Sequence, residues 1–109
     1  MNKQKVEIQS IVWQNIVQKA IQKFGKIDIL LNVAGVITPE FVEDIALKDI
    51  NYHIDINVKG VIYGTKIVAD EMFKQGSGHI INFASLASVA PIHGISLYSA
   101  SKYAVRGFH

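Results

Sequence analysis

The sequence predicts an α/β fold, the central part of a doubly wound parallel sheet. Two observations carry that expectation. Segments of helical period alternate with short, branched apolar runs, in the order helix, strand, helix, strand, helix. Such alternation builds right-handed βαβ units and a parallel sheet covered by helices. The composition can also fill a core. Of 109 residues, 50% are hydrophobic and 18% charged, which excludes disorder along the whole chain.

The first helix is expected over residues 8–24. Ile8, Ile11, Val12, Ile16, Val17, Ala20, Ile21 and Phe24 recur at steps of three and four. Gly25 follows, where a helix end favours a residue that takes positive φ without a Cβ clash. Residues 27–33, Ile-Asp-Ile-Leu-Leu-Asn-Val, are too short for a helix and read as a strand buried on both faces. Ala34-Gly35 ends it, and Thr38-Pro39 marks a loop.

Residues 45–75 read as one long helical stretch with a stripe of Leu47, Ile50, Ile54, Val58, Ile62, Thr65, Val68 and Met72. Asp44 is its best candidate N-cap. Gly60 and Gly64 interrupt the stretch, either to admit another backbone closely or to mark a bend. Gln75-Gly76-Ser77-Gly78 is a stop, and residues 79–84 form the second strand. Small residues with Pro91 and Gly94 make a loop before a last helix from about Leu97.

Charge and residue usage narrow the function classes. Residues 1–26 hold five lysines against one glutamate, which fits a solvated helix face. The net charge of +2 is too weak to argue for nucleic acid as a partner. No cysteine is present, so disulfide frameworks and thiol chemistry are excluded. The four histidines lack metal-ligand spacing, so no metal site is expected. No apolar run approaches the roughly 20 residues of a membrane span. The start lacks the apolar stretch of a secretory signal, so a cytoplasmic location is expected.

Sites in parallel sheets lie at the carboxyl ends of the strands. Asn32 to Gly35 and Ser85 onward occupy those ends. Tyr98 and Lys102 are four apart in the last helix and share a face. An ammonium near a phenol favours the phenolate, which can then exchange a proton with an alcohol or ketone. Taken alone, this spacing also arises by chance. Ser85 either offers its hydroxyl to a reacting oxygen or turns the chain after the strand. Asn57 is a poor interior helix residue, because its amide competes for backbone partners. A hydrolase reading through Ser85 and His93 fails for lack of a Gly-x-Ser-x-Gly elbow.

Together, Leu30-Leu31-Asn32-Val33-Ala34-Gly35, Ile56-Asn57-Val58-Lys59-Gly60, Ile81-Asn82-Phe83-Ala84-Ser85 and Tyr98-Ser99-Ala100-Ser101-Lys102 resemble the short-chain dehydrogenase/reductase family. The step of thirteen from Ser85 to Tyr98, then four to Lys102, is similar to that family's catalytic spacing. The resemblance implies a Rossmann-like fold and an oxidoreductase that interconverts an alcohol and a carbonyl, with NAD or NADP as cofactor. It implies catalytic roles for Asn57, Ser85, Tyr98 and Lys102, with Ser85 also holding the substrate oxygen. Asn57 would hold a water that links Lys102 to solvent. Cofactor contacts would come from Asn32, Ala34, Gly35, Tyr98 and Lys102. Any homo-oligomer would form through the helices at 47–73 and 97–109.

Several positions depart from the family pattern. Val33 stands for the second Asn of Asn-Asn-Ala-Gly, Ala46 for a Ser or Thr cap, and Ser88 for a frequent Gly. No Gly-x-x-x-Gly-x-Gly occurs, so the loop that cradles a pyrophosphate at a helix N-terminus is missing. The 109 residues are therefore expected to be a single partial domain. It would lack the glycine-rich βαβ before it and the later strands after it. The alternative is a truncated, non-catalytic chain that at most pairs with other subunits. The mostly apolar loop at residues 89–95 hints at a nonpolar substrate.

Overall fold

The computed structural model describes residues 3–33, 35–83, 85 and 93–108. Helix α1 (Lys3–Phe24) precedes strand β1 (Ile29–Asn32) and a 3₁₀ turn (Val42–Asp44). Helix α2 (Leu47–His53), a π-helical turn (Ile54–Lys59) and helix α3 (Gly60–Gln75) follow without a break. Strand β2 (His79–Asn82) and helix α4 (Ser96–Gly107) complete the order. The two strands form a parallel sheet, β1 beside β2. This is the α/β alternation that the sequence predicts.

The chain divides into two compact units. One comprises residues 1–32 and 62–81, the other residues 33–61 and 82–109. The first has an apolar core of Val17, Val68 and Met72, against which Ile21, Ile27, Leu30, Ile67 and Ile80 pack. Gln75 ties its chain ends together. The side-chain oxygen accepts the Ile27 N–H at 2.9 Å, and the amide nitrogen donates to the Ile27 carbonyl at 2.8 Å. Gly25 takes φ +87° at the end of α1, as its place after Phe24 predicts, and its N–H donates to the Ile21 carbonyl at 2.8 Å.

Four expectations need correction. β1 is not buried on both faces: Ile29 is 58% exposed and Leu31 53%, while Leu30 turns to the core. Strand side chains alternate, and in this unit only one face of the sheet meets helices. On α1, Val17 is buried, but Ile11, Val12, Ile16 and Phe24 stay exposed. Asp44 does not cap α2. It lies in the 3₁₀ turn, and Ala46 takes the N-cap place without a side-chain hydrogen bond. Gly64 admits a ring rather than a backbone: a Cβ there would lie 2.5 Å from Trp13.

The stripe predicted for residues 45–75 is also out of phase at its start. Val68 and Met72 are buried as expected. Upstream, His53, Asp55, Asn57 and Val61 are buried, whereas Ile54, Val58 and Ile62 of the predicted stripe are not. A π turn lies between His53 and Val61. Its i→i+5 bonding places one extra residue in the turn, so a period of 3.6 cannot hold phase through it.

Candidate active site

The second unit is built around polar groups. His53, Asp55, Asn57, Ser99, Ser101 and Lys102 are all buried there, alongside Val61 and Val105. They come from α2, the π turn and α4. Burying a polar group is costly unless it is hydrogen-bonded, so the partners of Asn57, Ser101 and Lys102 define the architecture.

Asn57 is the hub. It is 0% exposed, and its carboxamide meets both backbone polar groups of one residue. Its Oδ1 accepts the Val36 N–H at 2.7 Å, and its Nδ2 donates to the Val36 carbonyl at 2.8 Å. A second Nδ2 hydrogen goes to Ser101 Oγ at 3.0 Å. Ser101 in turn donates to the Tyr98 carbonyl at 2.6 Å. The loop after β1, the π turn and α4 are thus joined by one chain of hydrogen bonds.

Lys102 is 5% exposed, and its ammonium donates to the Phe83 carbonyl at 3.2 Å. It lies 5.7 Å from the centre of the Tyr98 ring. Helix periodicity places the phenol and the ammonium on one face, one turn apart. Tyr98 is itself half-buried. Gly35 stands close to both hub groups. A Cβ there would come 3.3 Å from Asn57 Oδ1 and 3.5 Å from Lys102 Nζ. The missing side chain lets the Gly35 backbone lie against the carboxamide and the ammonium without crowding them.

Of the predicted site residues, Gly35, Asn57, Tyr98 and Lys102 are therefore brought together. Ser85 is half-buried in the same unit. Asn32 is buried in the first unit, where its Nδ2 donates to Thr65 Oγ1 at 3.1 Å. Ala34, Ser88 and residues 89–92 of the predicted apolar loop lie outside the described residues. Sequence reasoning missed Ser101, the Val36 peptide and the Phe83 carbonyl. Ser101 left a signal: it is an interior helix serine one step before Lys102. The other two act through the backbone, which no side-chain motif reveals.

Glu40 flanks the start of α4. Its N–H donates to the Gly94 carbonyl at 2.7 Å, and it forms a parallel bridge with Ile95. Its carboxyl titrates above the ordinary 4.5. Desolvation is the main cause, followed by the charge and hydrogen bond of Asp49 and the charge of Asp44, with His53 opposing. His53 is fully buried, with Nδ1 2.8 Å from the Asp49 carbonyl. No described residues form a cluster that could hold a metal ion, and no described helix is long and apolar enough to cross a membrane.

The site can be set against known proteins. The chain is 44% identical over 91 residues to an uncharacterized oxidoreductase of Staphylococcus saprophyticus, covering 84% of this chain and 37% of that protein. A short chain dehydrogenase/reductase from Burkholderia phymatum, solved with NAD, superposes with a TM-score of 0.88 at 32% identity. The match covers 91% of this chain and 36% of that one. ElxO with NADP bound gives 0.86 at 28% identity, over 91% of this chain and 40% of that one. The chain spans under two fifths of the length of the curated relatives it matches. The family described as short chain dehydrogenase matches residues 5–109, and the chain belongs to it.

Proposed function

We propose that this chain carries the catalytic segment of an NAD(P)-dependent oxidoreductase that interconverts an alcohol and a carbonyl. One observation carries the reading: a buried lysine ammonium beside the Tyr98 ring and the bare Gly35 backbone. An ammonium has three donors, and among the described residues one of them meets the Phe83 carbonyl. The others fit the hydroxyls of a ribose approaching over Gly35. The solved relatives that bind NAD and NADP support the same cofactor class. When bound, the dinucleotide supplies or accepts the hydride.

The remaining work falls to side chains. Tyr98 gives a proton to the substrate oxygen during reduction and takes one back during oxidation. The Lys102 ammonium stabilises the phenolate that this leaves, and it holds the cofactor ribose. The Ser85 hydroxyl holds the substrate oxygen against Tyr98. Asn57 keeps the Val36 loop and α4 in register, and a water beside it links Lys102 to solvent. Gly35 lines the cofactor cleft.

Titrating NADH and NADPH into the full chain tests this reading. Submillimolar binding of either supports it, and no binding up to millimolar concentration counts against it. Where the bound chain turns over, Tyr98→Phe is expected to lower kcat by about 10²–10⁴. Unchanged turnover would remove Tyr98 from its role.

A second reading rests on a different observation. Leu47 is 82% exposed and Phe73 90%. Large apolar side chains left in water on 47–73 favour pairing of subunits through that stretch and 97–109. Sedimentation decides it: a monomer at every concentration sinks the pairing reading.

A further inference from the structure

Ser101 occupies a place in the hydrogen-bond chain that none of the proposed catalytic residues fills. Serine is a mediocre residue for a helix interior, since its hydroxyl competes with the helix for backbone groups. Here the hydroxyl bonds back to the Tyr98 carbonyl, three residues earlier, at 2.6 Å. Ser101 is 0% exposed, so water cannot stand in for it.

The direction of each bond in the chain is determined. A carbonyl can only accept, so the Ser101 hydroxyl hydrogen points to Tyr98. Its oxygen must then accept the remaining bond, and the partner at 3.0 Å must be the NH₂ end of Asn57. The two Val36 groups demand the same orientation: NH₂ toward Ser101 and the Val36 carbonyl, oxygen toward the Val36 N–H. A flipped amide would set its oxygen against the Val36 carbonyl and its NH₂ against an N–H. We propose that Ser101 is a positioning residue. Its hydroxyl joins the Asn57 carboxamide to the Tyr98 carbonyl and thereby locks the turn bearing Tyr98 and Lys102 to the Val36 loop. The inference rests on the function proposed above in treating Tyr98 and Lys102 as the pair worth locking.

Nuclear magnetic resonance on the full ¹⁵N-labelled chain tests it. In the wild type, the Asn57 side-chain amide protons should exchange slowly and show a nuclear Overhauser contact to the Ser101 β protons. Ser101→Ala should cost one Asn57 amide proton and the Val36 amide about tenfold in protection, near the worth of one buried hydrogen bond. The Gln75 side-chain amide, in the first unit, should keep its protection. That control separates local positioning from general loosening. Equal losses at Asn57 and Gln75, or no loss at Asn57, would overturn the proposal. If Ser101→Ala does not fold, the wild-type contact decides: its absence refutes the assignment. A parallel NADH titration keeps the two claims apart. A wild-type chain that fails to bind NADH, with Asn57 responding as expected, upholds Ser101 and defeats the proposed function. Where NADH binds, Ser101→Ala should weaken it by about tenfold, and unchanged affinity would deny the lock any bearing on the site.

Discussion

The two units of the chain are held together by opposite means. The first closes over Val17, Val68 and Met72, and the second closes over Asn57, Ser101 and Lys102. Each nevertheless uses the same device once, a carboxamide that grips the N–H and the carbonyl of a single residue. Gln75 grips Ile27 just before β1, and Asn57 grips Val36 just after it. Burial separates them. Gln75 is half-buried, so water can replace it, whereas Asn57 is sealed. An apolar core tolerates changes of shape at a graded cost. A polar core is directional, and one lost partner leaves a donor or acceptor with nothing. Directional cores suit sites, because they fix where charges and protons stand.

Substitutions in each unit can break this contrast. Met72→Ala should have the largest effect, about 2–5 kcal/mol from lost transfer energy and cavity, read by urea denaturation. A cost under about 1 kcal/mol would mean that the first unit does not depend on its apolar centre. Asn57→Ala should cost about 1–3 kcal/mol, because it strands the Val36 N–H and carbonyl. It should also abolish any dinucleotide binding, which Met72→Ala should spare under folding conditions. Gln75→Ala should cost about 0.5–1.5 kcal/mol, less than Asn57→Ala, although the hydrogen bonds to the gripped residue are alike. Equal costs would show that burial does not set the difference.

The smallest effect concerns pH. Glu40 titrates above 4.5 in the folded chain, so the folded state holds its proton more tightly than the unfolded one. Its contribution to stability is full below 4.5 and is lost as pH rises through the raised folded value. Glu40→Gln keeps a neutral group beside Asp49 and should remove this dependence. The variant should gain on the wild type in melting temperature between acid and neutral pH. Parallel curves across that range would exclude Glu40 as the titrating group.

Much of the site was legible in the sequence. Tyr98 and Lys102 follow from a spacing of four on a helix, and local periodicity suffices to place them on one face. Asn57 stood out as a helix-interior asparagine, and Gly35 as the small residue ending a strand. The structure added their partners, because Val36 and Phe83 contribute backbone atoms that carry no sequence signature. The misread stripe upstream of Gly60 has the same origin. The π turn holds one extra residue, and a period of 3.6 read from the sequence does not hold phase across it.

By itself, then, the sequence determined the order of elements, the α/β class and the family, and it singled out the candidate side chains for chemistry. These depend on local period, turn residues and residue type, all read from neighbours in the chain. Tertiary structure alone decided which face of β1 is covered, that Trp13 fills the space Gly64 leaves, and that Asn57 grips Val36 and donates to Ser101. Those outcomes depend on contacts across 21 residues between Asn57 and Val36 and 44 between Asn57 and Ser101, and only the folded chain brings them within reach.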